Sequence, residues 1–89
     1  MLTLTDQAAA MIARLRTEAD PAGALTLRIA QPSDSYGLTM SLADAPGPDD
    51  LVLQDSGVTV FLDPVAAVRL DGEVLDARSN EVGSAFFLT

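Results

Sequence analysis

Apolar residues recur at two different spacings along this 89-residue chain, and the change between the two spacings constrains the fold most strongly. In the first part they recur at steps of four, three and four, the spacing of one helix face, at Ala8, Ile12, Leu15 and Ala19. From Leu25 onward they mostly alternate with polar residues, as in half-buried strands. The chain is therefore predicted to combine an N-terminal helix with several strands, in an α+β or mainly β fold.

Both predicted helices have a capping residue in front of them. Thr5 precedes the first helix, and its hydroxyl is suited to accept a hydrogen bond from a free backbone N–H of the first turn. Residues 20–23, which read Asp-Pro-Ala-Gly, end that helix because proline and glycine do not continue it. Asp63 caps a second, short helix that opens with Pro64, at the position where proline is tolerated.

The strands are expected to be mostly antiparallel, because most of the connections are too short for a parallel crossover. The segments predicted as strands are residues 2–4, 25–30, 38–42, 51–54, 58–62, 73–78 and 84–88. Residues 25–30 and 38–42 are expected to pair across the polar segment 31–37. The sequence Asp-Ser-Gly at residues 55–57 predicts a hairpin between the next two strands.

Length and charge limit the classes of partner. A chain of 89 residues is expected to form a single domain, here residues 1–89. Its net charge is −8, from ten Asp, three Glu, five Arg and no Lys. Such a domain repels phosphate backbones and anionic lipid surfaces, so neither nucleic acid nor a membrane is an expected partner.

The residue types that the chain lacks limit its chemistry. It contains no Cys, His or Lys, so thiolate and imidazole nucleophiles, Schiff-base lysines and ordinary zinc sites are excluded from these residues. We therefore predict no enzyme activity, and we assign no catalytic, cofactor-binding or metal-binding residue. Asp6 and Arg14 interrupt the first apolar stretch, which is unlike a signal peptide, and the expected location is the cytoplasm.

One polar loop is the candidate interaction site. It consists of Ser33, Asp34, Ser35, Tyr36 and Gly37, between two well-patterned strands. It offers two hydroxyls, a carboxylate and a phenol, and tyrosine is favoured at interfaces. The alternative is an ordinary hairpin loop that carries no function.

Two other features have both a functional and a structural interpretation. Asp44, Asp49 and Asp50 offer oxygen ligands to a hard cation, or they form a solvated loop stiffened by prolines. Phe86 and Phe87 are adjacent on the last predicted strand and must face opposite ways. One of them is expected in the core, and the other is expected either at an interface or under the N-terminal helix.

Taken in order, several short segments resemble the HesB/IscA-like family of iron-sulfur carriers across essentially the whole chain. These segments are the Leu-Thr-Leu-Thr-Asp-Gln-Ala-Ala opening at 2–9, Leu-Arg-Ile at 27–29, the hairpin at 48–60, Leu-Asp-Gly-Glu-Val-Leu-Asp at 70–76, and Phe-Phe-Leu at 86–88. The resemblance implies a HesB-like domain: mostly antiparallel strands, an N-terminal helix and a short second helix.

The same resemblance marks where the chain departs from the family. The family's cluster-carrying loop reads Ser-Gly-Cys-Ser-Gly, whereas residues 33–37 have Ser35 at the cysteine position. The family's Cys-Gly-Cys tail lies beyond its final strand, and the sequence ends at Thr89 without it. Clusters are held by thiolates, occasionally by histidine, so no residue here matches the family's ligands.

The expected function is a non-catalytic relative of the carriers that has an accessory or protein-interaction role and no cofactor. Its expected partners are a second copy, a cysteine-bearing paralogue or an assembly factor. The alternative is a protein that binds iron or another hard cation through oxygen ligands, with Asp34, Ser35 and Tyr36 as the candidate ligands.

Overall fold

The computed structural model describes residues 1–32, 37–80 and 83–89. The elements in chain order are β1 (Thr3–Leu4), α1 (Asp6–Ala19), β2 (Thr26–Ala30), β3 (Thr39–Ala43), β4 (Leu51–Asp55), β5 (Val58–Leu62), α2 (Pro64–Arg69), β6 (Val74–Ser79) and β7 (Ser84–Leu88). Within these ranges, neither helix has the length and apolar composition needed to cross a membrane. The predicted fold class, strands with an N-terminal helix and a short second helix, is confirmed.

The strands form two sheets. The larger has the order β3-β2-β5-β4, and the smaller has the order β1-β6-β7. The consecutive pairs β2/β3, β4/β5 and β6/β7 are antiparallel, as the short connections predict. The parallel pairs β2/β5 and β1/β6 join strands that are distant in the chain. As a result, β3 and β7 each lie at the edge of a sheet.

The β4/β5 hairpin follows from its turn residues. Ser56 and Gly57 both have positive φ angles, 53° and 82°. This is the backbone of a turn whose twist matches that of the flanking strands, and glycine adopts it without steric cost. The hairpin predicted from Asp-Ser-Gly is therefore present.

A small set of side-chain hydrogen bonds fixes the start of α1. The Thr5 hydroxyl accepts a hydrogen bond from the Ala8 N–H at 3.1 Å, which confirms the predicted cap. The same hydroxyl donates to Asp76 Oδ1 at 2.7 Å, which ties the helix to β6. This bond, followed by the one from the Ala77 N–H, lowers the pKa of the Asp76 carboxyl.

The core lies between the sheets and α1. Its most completely buried large side chains are Ile12, Ile29, Leu53, Leu62 and Val60. They come from α1, β2, β4 and β5, and the register places Leu53 opposite Val60.

The core covers only the first part of α1. Ala8, Ala9, Met11 and Ile12 are buried, whereas Leu15 is 37% exposed. Ala19, at the end of the helix, is also exposed. The apolar face predicted from the spacing is thus correct up to Ile12, and beyond it the face is open to solvent.

Candidate functional site

Most of the predicted interaction loop lies outside the described residues. This applies to Ser33, Asp34, Ser35 and Tyr36, while Gly37 lies on the surface. The interpretation of this loop therefore stays a prediction, and its two flanking segments are what the structure adds.

The segment that leads into the loop is held by α2. Asp63 caps α2 by accepting a hydrogen bond from the Ala66 N–H at 2.7 Å, as predicted. Its second oxygen accepts from the Gln31 N–H at 3.1 Å. Arg69, at the other end of α2, donates to Gln31 Oε1 at 2.7 Å. The short helix α2 and its cap therefore hold Gln31, which lies two residues before the loop.

The three aspartates predicted to form a cation site or a solvated loop have different environments. Asp50 accepts hydrogen bonds from Arg28 Nε at 2.7 Å and Nη2 at 2.9 Å. Its side chain is only 2% exposed, whereas Asp44 and Asp49 lie on the surface. In the part of the chain that the structure describes, no three acidic side chains form a group able to hold a metal ion.

The Arg28–Asp50 ion pair joins the connection before β4 to the middle of the larger sheet. Gly47 N–H donates to Asp50 Oδ2 at 2.8 Å, so one carboxylate accepts three hydrogen bonds. The bonds from Arg28, then that from Gly47, outweigh burial and lower the pKa of the Asp50 carboxyl. The same pairing raises the pKa of Arg28. Both members of the pair are therefore charged at neutral pH.

Phe86 and Phe87 face opposite ways, and neither is fully buried or fully exposed. Phe86 packs against the core cluster beside Ile12 of α1. Phe87 lies on the other face, with the guanidinium carbon of Arg78 5.5 Å from its ring centroid. The expectation that one Phe packs inward is met only in part, because β7 is an edge strand.

An open apolar groove lies where Phe86 meets the uncovered end of α1. Its volume is about 230 Å³, and its lining is Ile12, Leu15, Ala19, Leu27, Met40, Ser41, Leu42 and Phe86. We call this the α1–β3 groove. Its floor is the buried Ile12 and Leu27, and Met40 on its rim is 44% exposed. The groove lies between β3 and β7, which are one edge strand of each sheet.

Three acidic residues are neighbours in sequence of residues that line the α1–β3 groove. Glu18 and Asp20 flank Ala19 in the chain, and Asp44 follows the last residue of β3. Glu18 makes only a long contact with Arg14, at 4.0 Å. The lining itself contains no charged side chain.

The sequence patterns that form this groove are the same as those of a core. The apolar stripe on α1 continues to Ala19, and Met40 and Leu42 alternate with polar residues on β3. Only the strand order shows that, among the described residues, β3 and β7 have no neighbour beyond them to complete the covering layer.

The chain is 30% identical to the protein HesB of Leptolyngbya boryana, in an alignment that covers 96% of this chain and 74% of HesB. The chain belongs to the HesB/IscA-like iron-sulfur carrier family. This confirms the resemblance found in the sequence segments.

Other comparisons agree with membership of the HesB/IscA-like family, although no protein-family model matches the sequence. An uncharacterized protein from the nifU 5′ region of Cereibacter sphaeroides is 35% identical over 51 residues, 57% of this chain and 46% of that protein. A crystal structure of IscA with a [2Fe-2S] cluster has a TM-score of 0.75 and 33% identity, and it covers 100% of this chain and 84% of IscA. The Escherichia coli SufA structure shares the fold, with a TM-score of 0.80 at 24% identity over 99% of this chain and 83% of SufA.

The residues of this HesB/IscA-like chain do not fit a thiolate-held cluster. Its 89 residues contain no cysteine and no histidine, the side chains that hold iron-sulfur clusters in proteins.

Proposed function

We propose that this chain, as a single HesB/IscA-like domain of residues 1–89, acts in the cytoplasm as a non-catalytic accessory protein of iron-sulfur cluster assembly. It works through protein contacts and does not carry a cluster. One observation carries the proposal: similarity to a cluster-bearing IscA extends over 100% of this chain, yet the chain contains no cysteine.

The chemistry of the remaining side chains supports this proposal. The sequence resemblance places Ser35 at the family's cysteine position. A serine loses its proton only at very high pH, so near neutrality Ser35 offers a neutral hydroxyl where the family offers a thiolate. Carboxylates are hard ligands that suit Mg²⁺, Ca²⁺ and Mn²⁺ better than a sulfide-bridged cluster. The chain therefore keeps the family's shape without its ligands.

The surface supports a role in protein contacts. Large apolar side chains around the α1–β3 groove are exposed, including Leu15 and Met40. Exposed apolar patches next to polar surface are typical of interaction sites. A second copy, a cysteine-bearing paralogue and an assembly factor are the partners that the family relationship suggests.

Anaerobic reconstitution tests the first half of the proposal. The 89-residue chain is incubated with ferrous iron and sulfide, desalted, and its visible absorption spectrum is recorded, with a cysteine-bearing IscA treated in parallel. We expect the IscA control to keep its absorption and this chain to keep none. A stoichiometric cluster on this chain after desalting would contradict the proposal.

Iron binding without sulfide tests the oxygen-ligand alternative in the same preparation. We expect iron to be lost on desalting. If iron is retained, and the triple variant Asp34→Asn, Ser35→Ala, Tyr36→Phe releases it, the chain is an oxygen-ligand iron binder and the accessory role is wrong.

A further inference from the structure

The α1–β3 groove is bounded by two strands that each lack a neighbour on one side. In the described ranges 1–32, 37–80 and 83–89, strand β3 pairs only with β2, and β7 pairs only with β6. Among the described residues, the backbone of Thr39–Ala43 makes no hydrogen bond other than those to β2. As far as the described part of the chain is concerned, the outer edge of β3 is therefore open to pairing with an added extended segment, which is a common mode of peptide recognition.

The face of β3 that is turned toward the core indicates which side chains an added segment must carry. Met40 and Leu42 oppose Ile29 and Leu27 of β2, so they lie on the core face of the sheet. That face is open at this edge, where Leu15 of α1 is also 37% exposed. Because successive side chains of a strand alternate, a segment added to β3 places every second side chain over the groove. Those side chains must be apolar, because the side chains of the lining that face the groove are apolar.

The charge around the groove indicates what the rest of that segment carries. Among the described residues, no basic residue lines the groove, and Glu18, Asp20 and Asp44 are neighbours in sequence of its lining residues. The chain as a whole has a net charge of −8. An approaching basic segment is attracted by this field, and an acidic one is repelled.

A second copy of this chain is a poor match for that charge. It has no lysine, and all five of its arginines are engaged within the chain. Their partners are Ser84 and Glu18 for Arg14, the Leu25 carbonyl for Arg16, Asp50 for Arg28, Gln31 for Arg69 and the Phe87 ring for Arg78. Two copies bring a net charge of −16 together, since each contributes −8. A basic complement is therefore expected from a different protein.

We propose that the α1–β3 groove binds an extended segment of a different protein, which has alternating apolar residues and flanking lysine or arginine and pairs with the edge of β3. This inference rests on the proposed function, because it names the class of partner through which an accessory protein acts. The five residues of β3 give a paired segment of about 17 Å, which places two or three side chains over the groove.

Peptide binding tests this proposal directly. The probe is an acetylated and amidated peptide, Lys-Leu-Thr-Leu-Thr-Leu-Lys, and its affinity is measured by calorimetry or by NMR titration of the labelled chain. Two matched peptides replace both lysines by glutamate or all leucines by threonine. We expect each replacement to weaken binding by about tenfold or more, and added salt to weaken binding of the lysine peptide. Equal binding of the glutamate peptide would overturn the charge argument.

Two protein variants locate the binding site. Leu15→Lys places a charge in the groove at a surface helix position, and Val68→Lys makes the same change on α2, where Val68 is 78% exposed. We expect the first to weaken peptide binding by about tenfold or more and the second to leave it unchanged. Equal affinity for the two variants would overturn the proposed site. Circular dichroism checks that both variants are folded.

Hydrogen exchange distinguishes edge pairing from loose apolar contact. We expect bound peptide to slow amide exchange along β3 and to leave that of β4, the opposite edge, unchanged. Unchanged exchange along β3 in the bound state would overturn the pairing geometry. Sedimentation adds one further outcome: a dimer that Leu15→Lys dissociates and the peptide does not would show that a second copy is the occupant, which contradicts this proposal.

Failure here is distinguishable from failure of the proposed function. Retention of a cluster on reconstitution overturns the accessory role whatever the peptide does. If the chain retains no cluster and does not bind the lysine peptide, the accessory role stands and only the proposed class of partner is wrong.

Discussion

Removing the Asp50 carboxylate is expected to destabilise the fold strongly although the residue belongs to a surface connection. Asp50→Ala removes two hydrogen bonds from Arg28 and one from the Gly47 N–H. Hydrogen bonds to charged groups contribute about 1.5–3 kcal/mol each. The Arg28 side chain is 30% exposed, so in the variant its guanidinium can hydrogen-bond to water, which reduces the loss of stability. We therefore expect a net cost of about 2–3 kcal/mol.

That cost is a large fraction of the stability of a domain of this size. For 89 residues the free energy of unfolding is roughly 4–13 kcal/mol. A loss of 2–3 kcal/mol corresponds to a decrease in Tm of about 10–20 °C. The assay is urea denaturation at pH 7 followed by circular dichroism. The matched control is Asp49→Ala, the exposed neighbouring aspartate, for which we expect a change below about 0.5 kcal/mol.

The pH dependence of the same difference tests its electrostatic origin. The pKa of Asp50 is lowered in the folded protein, from an unfolded value of about 3.9. Its contribution is thus fully present above the unfolded pKa and is lost as the pH falls through the folded pKa. We expect the free energies of unfolding of the parent and Asp50→Ala to differ by a constant amount above about pH 5. This difference is expected to shrink as the pH falls below about 4. Equal denaturation midpoints for Asp50→Ala and Asp49→Ala at pH 7 would refute the reasoning.

The remaining predictions concern the caps and the core. Asp63→Ala removes the α2 cap and its bond to Gln31; it is expected to lower the free energy of unfolding by about 1 kcal/mol, and an unchanged denaturation midpoint would show that the cap is dispensable. Ile12→Ala is expected to cost about 2–5 kcal/mol at a site 1% exposed. Leu15→Ala, on the same helix face but 37% exposed, is expected to cost under about 1 kcal/mol, so similar losses would contradict the open groove. Gly47→Ala brings a methyl carbon to 3.1 Å from Asp50 Oδ1 and is expected to destabilise the fold; a thermal melt that matches the parent would show that this connection has room to shift.

Local signals in the sequence were sufficient to place the helices and hairpins. Thr5 and Asp63 cap α1 and α2 because each has a side-chain oxygen one residue before an apolar helical pattern. The β4/β5 hairpin follows from two residues able to adopt positive φ. These features depend on neighbours within a few positions, which is why they are predictable without a structure.

The candidate site was harder to predict because it depends on strand order. Whether Leu15 and Met40 belong to the core is decided by what lies beyond β3 and β7, and the alternation of apolar residues does not contain that information. The Arg28–Asp50 pair joins residues 22 positions apart with no shared local pattern. Phe86 and Phe87 were assigned opposite faces correctly, but their partial burial follows from the edge position of β7.

The most direct test of the central claim is the iron and acid-labile sulfide content of the protein isolated anaerobically from its native host. A HesB/IscA-like protein that acts through contacts, with no thiolate ligands in these 89 residues, is predicted to contain neither iron nor sulfide in stoichiometric amount. A cysteine-bearing carrier isolated in the same way is the control that shows that clusters survive the procedure. Near-stoichiometric iron and sulfide in this protein, under conditions in which the control keeps its cluster, would contradict the account.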